Sequence, residues 1–237
     1  ILLMLIVIIF SYKIISADYF FIKALKNGVN GKIDLAIKNC EQAIKNNKMP
    51  MDYYLILSDF YFQKGMMTKE FNNFDKSIET LEKIIKLQPH NYRPYFILGN
   101  TYLKMASFAK NKNLVFQKTE ETFKKSLEFF PNSTDTHLSL GMTYAQQEKF
   151  EQALTEFKKC GLINPKQIEC LLNQGKIYEQ QKDFKKAEKY YQEAEKYYQE
   201  TKKYYQEVLR VNPNSKITQD NLEKINSIYQ FYYLNKK

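Results

Sequence analysis

Residues 134–167 read TDTHLSLGMTYAQQEKFEQALTEFKKCGLINPKQ, and the order of small, bulky and turn residues in this stretch decides the fold. Leu140, Gly141 and Tyr144 belong to a first helical pattern, Ala153, Phe157 and Cys160 to a second, and Pro165 follows the second. Three further prolines stand in the same setting, Leu87-Gln88-Pro89, Phe129-Phe130-Pro131 and Val211-Asn212-Pro213, each directly after a helical apolar pattern. The four prolines are separated by 42, 34 and 48 residues, a 34-residue period with insertions of 8 and 14. Such a period is the mark of a helix-turn-helix solenoid.

The pattern resembles the tetratricopeptide repeat family, which places an aromatic, Leu-Gly, Tyr, Ala, Phe, Ala and Pro at these offsets. His137 stands where the family has Trp, and Cys160 where it has the second Ala. Residues 168–215 repeat the pattern with Gly175, Tyr178, Ala187, Tyr191 and Ala194. Residues 92–133 keep Tyr95, Leu98-Gly99 and Tyr102, and residues 51–91 keep Tyr54, Leu57-Ser58 and Tyr61, each with about seven or eight extra residues before Phe123 and Leu81. Residues 17–50 carry Phe20, Ala24, Gly31, Ala36, Cys40 and Ala43, with Lys48 in the proline's place. The resemblance implies an all-α fold: a right-handed superhelical solenoid of about five helix pairs over residues 18–215. The inserted residues, such as Ser107 to Asn113, fall where a first helix turns into a second and lengthen helices or loops without breaking the stack.

The steric logic is that Gly or Ala at 24, 99, 141 and 175 lets the second helix approach the first, while Tyr and Phe fill the gaps between pairs. A pair cannot bury its apolar face alone, so the last one needs a lid. Ile217, Leu222, Ile225 and Tyr229 recur at helical spacing among polar residues, which predicts a capping helix over 216–237.

Composition narrows the function. Seven Gly, six Pro and 44% hydrophobic residues in a chain of 237 exclude a disordered polymer. Two His and three Cys, at 40, 160 and 170, form no metal-binding cluster, and no phosphate loop, dinucleotide fingerprint or zinc-protease motif is present. The reading is therefore non-enzymatic, with no catalytic residues, no cofactor, no metal and no small-molecule substrate. The +10 charge is spread over every repeat with Lys interleaved among Glu, as in Glu79 to Lys86 and Glu148 to Lys159. Solvated helix faces have this character, and nucleic acid, which needs a concentrated basic patch, is not expected. Cys160 and Cys170 stand ten residues apart, close enough for a bridge in an oxidising compartment if the geometry allows.

Ile1 to Phe10 is an unbroken apolar run, followed by Ser11-Tyr12-Lys13 and a polar chain after Ala17. Residues 1–17 read as a signal peptide removed after Ala17, as a retained membrane anchor or as a buried first helix of the domain; the first two place the protein in a cell envelope, exported or membrane-anchored.

Residues 187–207 use a seven-residue unit ending Tyr-Tyr-Gln-Glu three times, and two extra copies account for the 14-residue insertion. One helix carrying Tyr190, Tyr197 and Tyr204 then forms a tyrosine ridge. It either packs on the C-terminal helix bearing Tyr229, Phe231, Tyr232 and Tyr233 or meets another subunit. The family resemblance implies that positions 2, 5, 9 and 12 of each first helix line a concave groove. These positions include Arg93 at 2; Phe21, Leu55, Phe96, Leu138 and Leu172 at 5; Asp59, Asn100, Met142 and Lys176 at 9; and Phe62 and Leu103 at 12. Such a groove suits an amphipathic helix or extended peptide of a partner protein. The family's clamp for a chaperone's terminal carboxylate does not assemble, since position 5 is apolar throughout and Arg93, Asn100 and Asn173 are isolated matches. The function expected is an interaction scaffold, exported or membrane-tethered, or a structural or assembly subunit of a larger membrane complex.

Overall fold

Ala17 and Ala24, small side chains in an otherwise bulky helix, are fully buried and mark where the N-terminal apolar segment runs into the repeats. A computed structural model describes the backbone of residues 2–233 and the side chains of 4–231. The described residues are all-α, with no strand: α1 (Leu2–Val29), α2 (Ile33–Asn46), α3 (Met51–Thr68), α4 (Phe71–Leu87), α5 (Tyr92–Met105), α6 (Lys112–Phe129), α7 (Thr134–Gln146), α8 (Phe150–Ile163), α9 (Ile168–Gln180), α10 (Phe184–Val211) and α11 (Lys216–Tyr233). They form two compact units, Ile1–Phe130 and Pro131–Lys237.

In the first unit α1 pairs with α2, α3 with α4 and α5 with α6, while α2 packs on α3 and α4 on α5. In the second, α7 pairs with α8 and α9 with α10; α8 packs on α9, and α11 on α10. Polar residues start several of these helices. Asn91, Asn111, Ser133 and Asp183 accept hydrogen bonds from the backbone N–H groups of Arg93, Leu114, Thr136 and Lys186, satisfying donors that the first helical turn leaves open. The insertions lengthen helices, so that α3 and α6 each have 18 residues where α7 has 13.

Within each pair the close approach depends on the small residue of the first helix. A Cβ at Gly99 would stand 2.5 Å from the Phe123 ring, and one at Gly141 would stand 2.6 Å from the Phe157 ring. Both rings are fully buried. The bulky residue that fills the space belongs to the second helix of the same pair, so the small-bulky interlock works inside pairs as well as between them.

The apolar run does not end before the first repeat. It is the outer half of α1, whose inner half pairs with α2. Met4 to Phe10 are exposed, whereas Ala17 lies in a cluster with Ala43 and Tyr53. Ser16 accepts a hydrogen bond from the Asn46 amide at 3.0 Å, and the Tyr53 hydroxyl donates to the Asp18 carboxylate.

Candidate protein-binding surfaces

The groove residues expected from the repeat frame divide into core and surface. Leu55, Leu103 and Leu172 are buried, the first two with relative exposures of 5% and 8% and the third with none. Leu55 sits in a cluster with Leu81, Ile84 and Tyr102, and Leu172 in one with Tyr191 and Ala194. These three bind the stack together and offer no surface to a ligand, because apolar residues at their positions also face the helix behind them. Phe21 is half-buried against the Tyr53 ring, with centroids 4.6 Å apart. Phe96 is half-buried beside the Phe123 ring, at 6.3 Å.

In the first unit a cleft of about 380 Å³ opens between α3 and α5. Asp59, Phe62 and Asn100 line it with Ser58, Ile97, Thr101 and Lys104. The Lys104 ammonium lies 5.1 Å from the centre of the Phe62 ring, and Asp59 accepts a hydrogen bond from Gln63 at 2.7 Å. The cleft thus combines an aromatic wall, a cation and a carboxylate. Arg93 is exposed at the start of α5 and pairs with Asp52 at 3.6 Å, away from these side chains.

In the second unit Leu138 and Met142 of α7 join Glu169 and Asn173 of α9 in a cleft of about 350 Å³. Its remaining wall comes from α11, through Ser227, Ile228 and Phe231, which the repeat frame did not mark. Ser227 and Ile228 stand four and three residues before Phe231, a helical spacing that was the signal available. Burial pushes the Glu169 carboxyl above its usual range. Lys176 is exposed on α9 and does not line this cleft.

The tyrosine helix divides its side chains in the same way. Tyr191 and Tyr198 are buried with Ala187 and Ala194, and the Tyr198 ring stacks on Tyr229 with centroids 3.9 Å apart. Tyr198 also donates a hydrogen bond to the Asn226 side chain at 2.8 Å. Tyr190 and Tyr197 are half-buried against the same cluster, Tyr190 stacking on Tyr178 at 5.5 Å, and Tyr204 is 62% exposed. The side chains of Tyr232 and Tyr233 lie outside the described residues.

Two arrangements arise from residues far apart in the repeat frame. His137, in the usual Trp position, is buried and hydrogen-bonded through Nδ1 to Glu156 at 2.5 Å and through Nε2 to the Pro131 carbonyl at 2.9 Å. Glu156 also accepts from Lys159 at 2.7 Å. Burial raises the Glu156 carboxyl, but the hydrogen bonds from His137 and Lys159 outweigh it and hold the group below its usual range. Glu156 lies on the other helix of the pair, 19 residues from His137 and outside any helical spacing. Cys160 of α8 and Cys170 of α9 are bonded as a disulfide, with Cα atoms 6.1 Å apart, while Cys40 remains a buried free thiol pushed up to about 12.

Comparison with known proteins places the fold. Family models described as tetratricopeptide repeat match residues 53–91, 134–167 and 168–201. The chain therefore contains tetratricopeptide repeats over these residues. Over 79 residues it is 30% identical to anaphase-promoting complex subunit 3 of Schizosaccharomyces pombe, a stretch covering 33% of this chain and 12% of that protein. Among solved structures, a crystal structure of MamA shares 20% identity over 76% of this chain and 96% of that one, with a TM-score of 0.62. A thermophilic tetratricopeptide repeat protein of Thermus thermophilus covers 88% of this chain and 98% of its own at 14% identity, with a TM-score of 0.57. These likenesses establish the all-α repeat fold. Proteins of this fold act in general as non-catalytic scaffolds for protein–protein interaction.

Proposed function

We propose that this chain is a membrane-tethered, non-catalytic scaffold of a cell envelope that holds a peptide or helix of a partner protein in the clefts between its first helices. The observation that carries the binding half is the cleft between α3 and α5, where Asp59, Phe62 and Asn100 come together beside Lys104. Apolar walls with a few polar groups supply affinity and register to an extended or helical segment. Replacing Asn100 and Leu138, one residue from each cleft, by Asp is expected to abolish partner capture while helicity by circular dichroism stays unchanged; undiminished capture refutes the groove.

Tethering is supported by α1. By length and composition the stretch from Met4 to Val29 passes for a membrane span, but its inner half packs against α2, which leaves the apolar run up to Ile15 as the part a bilayer can take. Its exposed half continues without a break into the buried Ala17, so cleavage after that residue would remove part of the first repeat's core. This favours retention of residues 1–17 and membership of a membrane assembly. The Cys160–Cys170 bridge supports an oxidising compartment for the repeats. Mass measurement of the mature N-terminus tests the tether: a chain beginning at Asp18 would remove it.

A further inference from the structure

Turns within helix pairs lie at one edge of the first unit and turns between pairs at the other, because each pair is an antiparallel hairpin. The insertions are at the first edge. The uninserted pair α7–α8 turns over within Gln147 to Lys149, whereas α3 runs on to Thr68, and an irregular stretch from Ala106 to Asn111 separates α5 from α6. Stacking does not need this extra length, yet its side chains are apolar. Met66, Met67, Phe71, Phe108 and Leu114 are 45%, 71%, 48%, 47% and 49% exposed. Two of these side chains share an aromatic floor: Phe71 and Phe108 both pack on Phe74, at 6.2 and 6.4 Å, and Phe62 meets Phe74 at 5.4 Å. The surrounding charge is mainly positive. Residues 64–72 and 104–114 contain Lys64, Lys69, Lys104, Lys110 and Lys112 against Glu70 alone, and Lys64 pairs with Asp34 of the neighbouring helix pair at 2.7 Å.

We propose that this edge docks an acidic, amphipathic segment of a partner protein. Its apolar residues cover Met66, Met67, Phe71 and Phe108, and its carboxylates meet Lys69, Lys110 and Lys112. Exposed apolar side chains set among mainly basic residues mark such a site, and the unbranched methionines adapt to the shape they meet. A bilayer fits less well. The apolar half of α1 leaves the unit at the opposite edge, where Ser16 meets Asn46, and the 14 residues of α2 put about 21 Å between the two edges. The site borders the α3–α5 cleft at Phe62 and Lys104 but lies beyond it, and it does not depend on peptide capture there.

The test uses the full chain in neutral phosphatidylcholine nanodiscs. The probe is a fluorescein-labelled helical peptide of about 18 residues with Leu and Phe on one face and Glu on the other. The expected result is binding by anisotropy that weakens as salt rises and is absent when Lys replaces every Glu. Met67→Glu with Phe108→Glu is expected to cost at least about tenfold in affinity. Lys110→Glu with Lys112→Glu, which leaves the apolar side chains in place, is expected to transfer preference to the Lys peptide. Unchanged affinity in both double variants overturns the proposal. So does a loss produced only by Asn100→Asp, which would put the peptide in the cleft, or capture of phosphatidylglycerol vesicles with no binding of the peptide.

Discussion

Gly141 and Phe157 share the space of one side chain between them: the Phe157 ring is fully buried, and a Cβ at 141 would lie 2.6 Å from its edge. Alanine at 141 raises helix propensity by up to about 1 kcal/mol. Overpacking against a ring that cannot move costs about 1–3 kcal/mol, so Gly141→Ala is expected to lower stability by about 1–2 kcal/mol in urea unfolding. Gly161 supplies the control, since nothing lies within 4 Å of its missing Cβ, and Gly161→Ala should raise stability. A stable Gly141→Ala protein would mean that the pair can open without penalty.

The bond between Cys160 and Cys170 joins α8 to α9 across a separation of 10 residues. Closing a loop of this size is worth about 2–3 kcal/mol, chiefly through the unfolded chain, so the Cys160→Ser, Cys170→Ser protein is expected to unfold at lower urea. Thiol labelling gives a second readout. Native, unreduced protein should take up no iodoacetamide, because Cys40 is buried and its thiol is pushed up to about 12. Denaturation without reductant should reveal one thiol per chain; three would show that the bridge does not form.

Glu156 makes the second unit sensitive to acid. Its carboxyl is held below the usual carboxylate range in the folded protein, so the unfolded chain binds the proton more readily. The stability it contributes is complete above the unfolded value and drains away as pH falls through the folded one. Urea midpoints between about pH 6 and pH 3 should drop more steeply for the parent than for Glu156→Gln, which starts lower because His137 and Lys159 lose their partner. Parallel curves would remove Glu156 from the acid response.

Tyr198 and Tyr229 carry the cap. Their stacked rings, 3.9 Å apart, together with the Tyr198–Asn226 hydrogen bond, fasten α11 to α10. A double-mutant cycle with Tyr198→Leu and Tyr229→Leu is expected to give a coupling of about 0.5–1.5 kcal/mol. Additive losses would show that the two rings act independently.

The repeat frame was legible because tetratricopeptide packing is local. Leu140, Gly141, Tyr144, Ala153 and Phe157 lie within one hairpin, and each contact joins residues whose separation recurs along the chain. The clefts were only partly legible. Leu55 and Leu138 occupy the same position of their repeats, yet Leu55 is buried in the core while Leu138 lines a cleft. Position in the repeat states which way a side chain points, and the neighbouring pair decides whether anything covers it.

The order of small and bulky residues at a 34-residue period was enough to specify antiparallel helix pairs, the sites of the insertions and a C-terminal lid, since these follow from helical spacing and steric fit between near neighbours. Only the packed chain decided that the apolar run and the first repeat helix are one rod, that His137 meets Glu156, that Cys160 reaches Cys170 and that the insertions gather aromatic side chains at one edge. Those outcomes depend on helix length and crossing geometry, which bring together residues that no periodic pattern pairs.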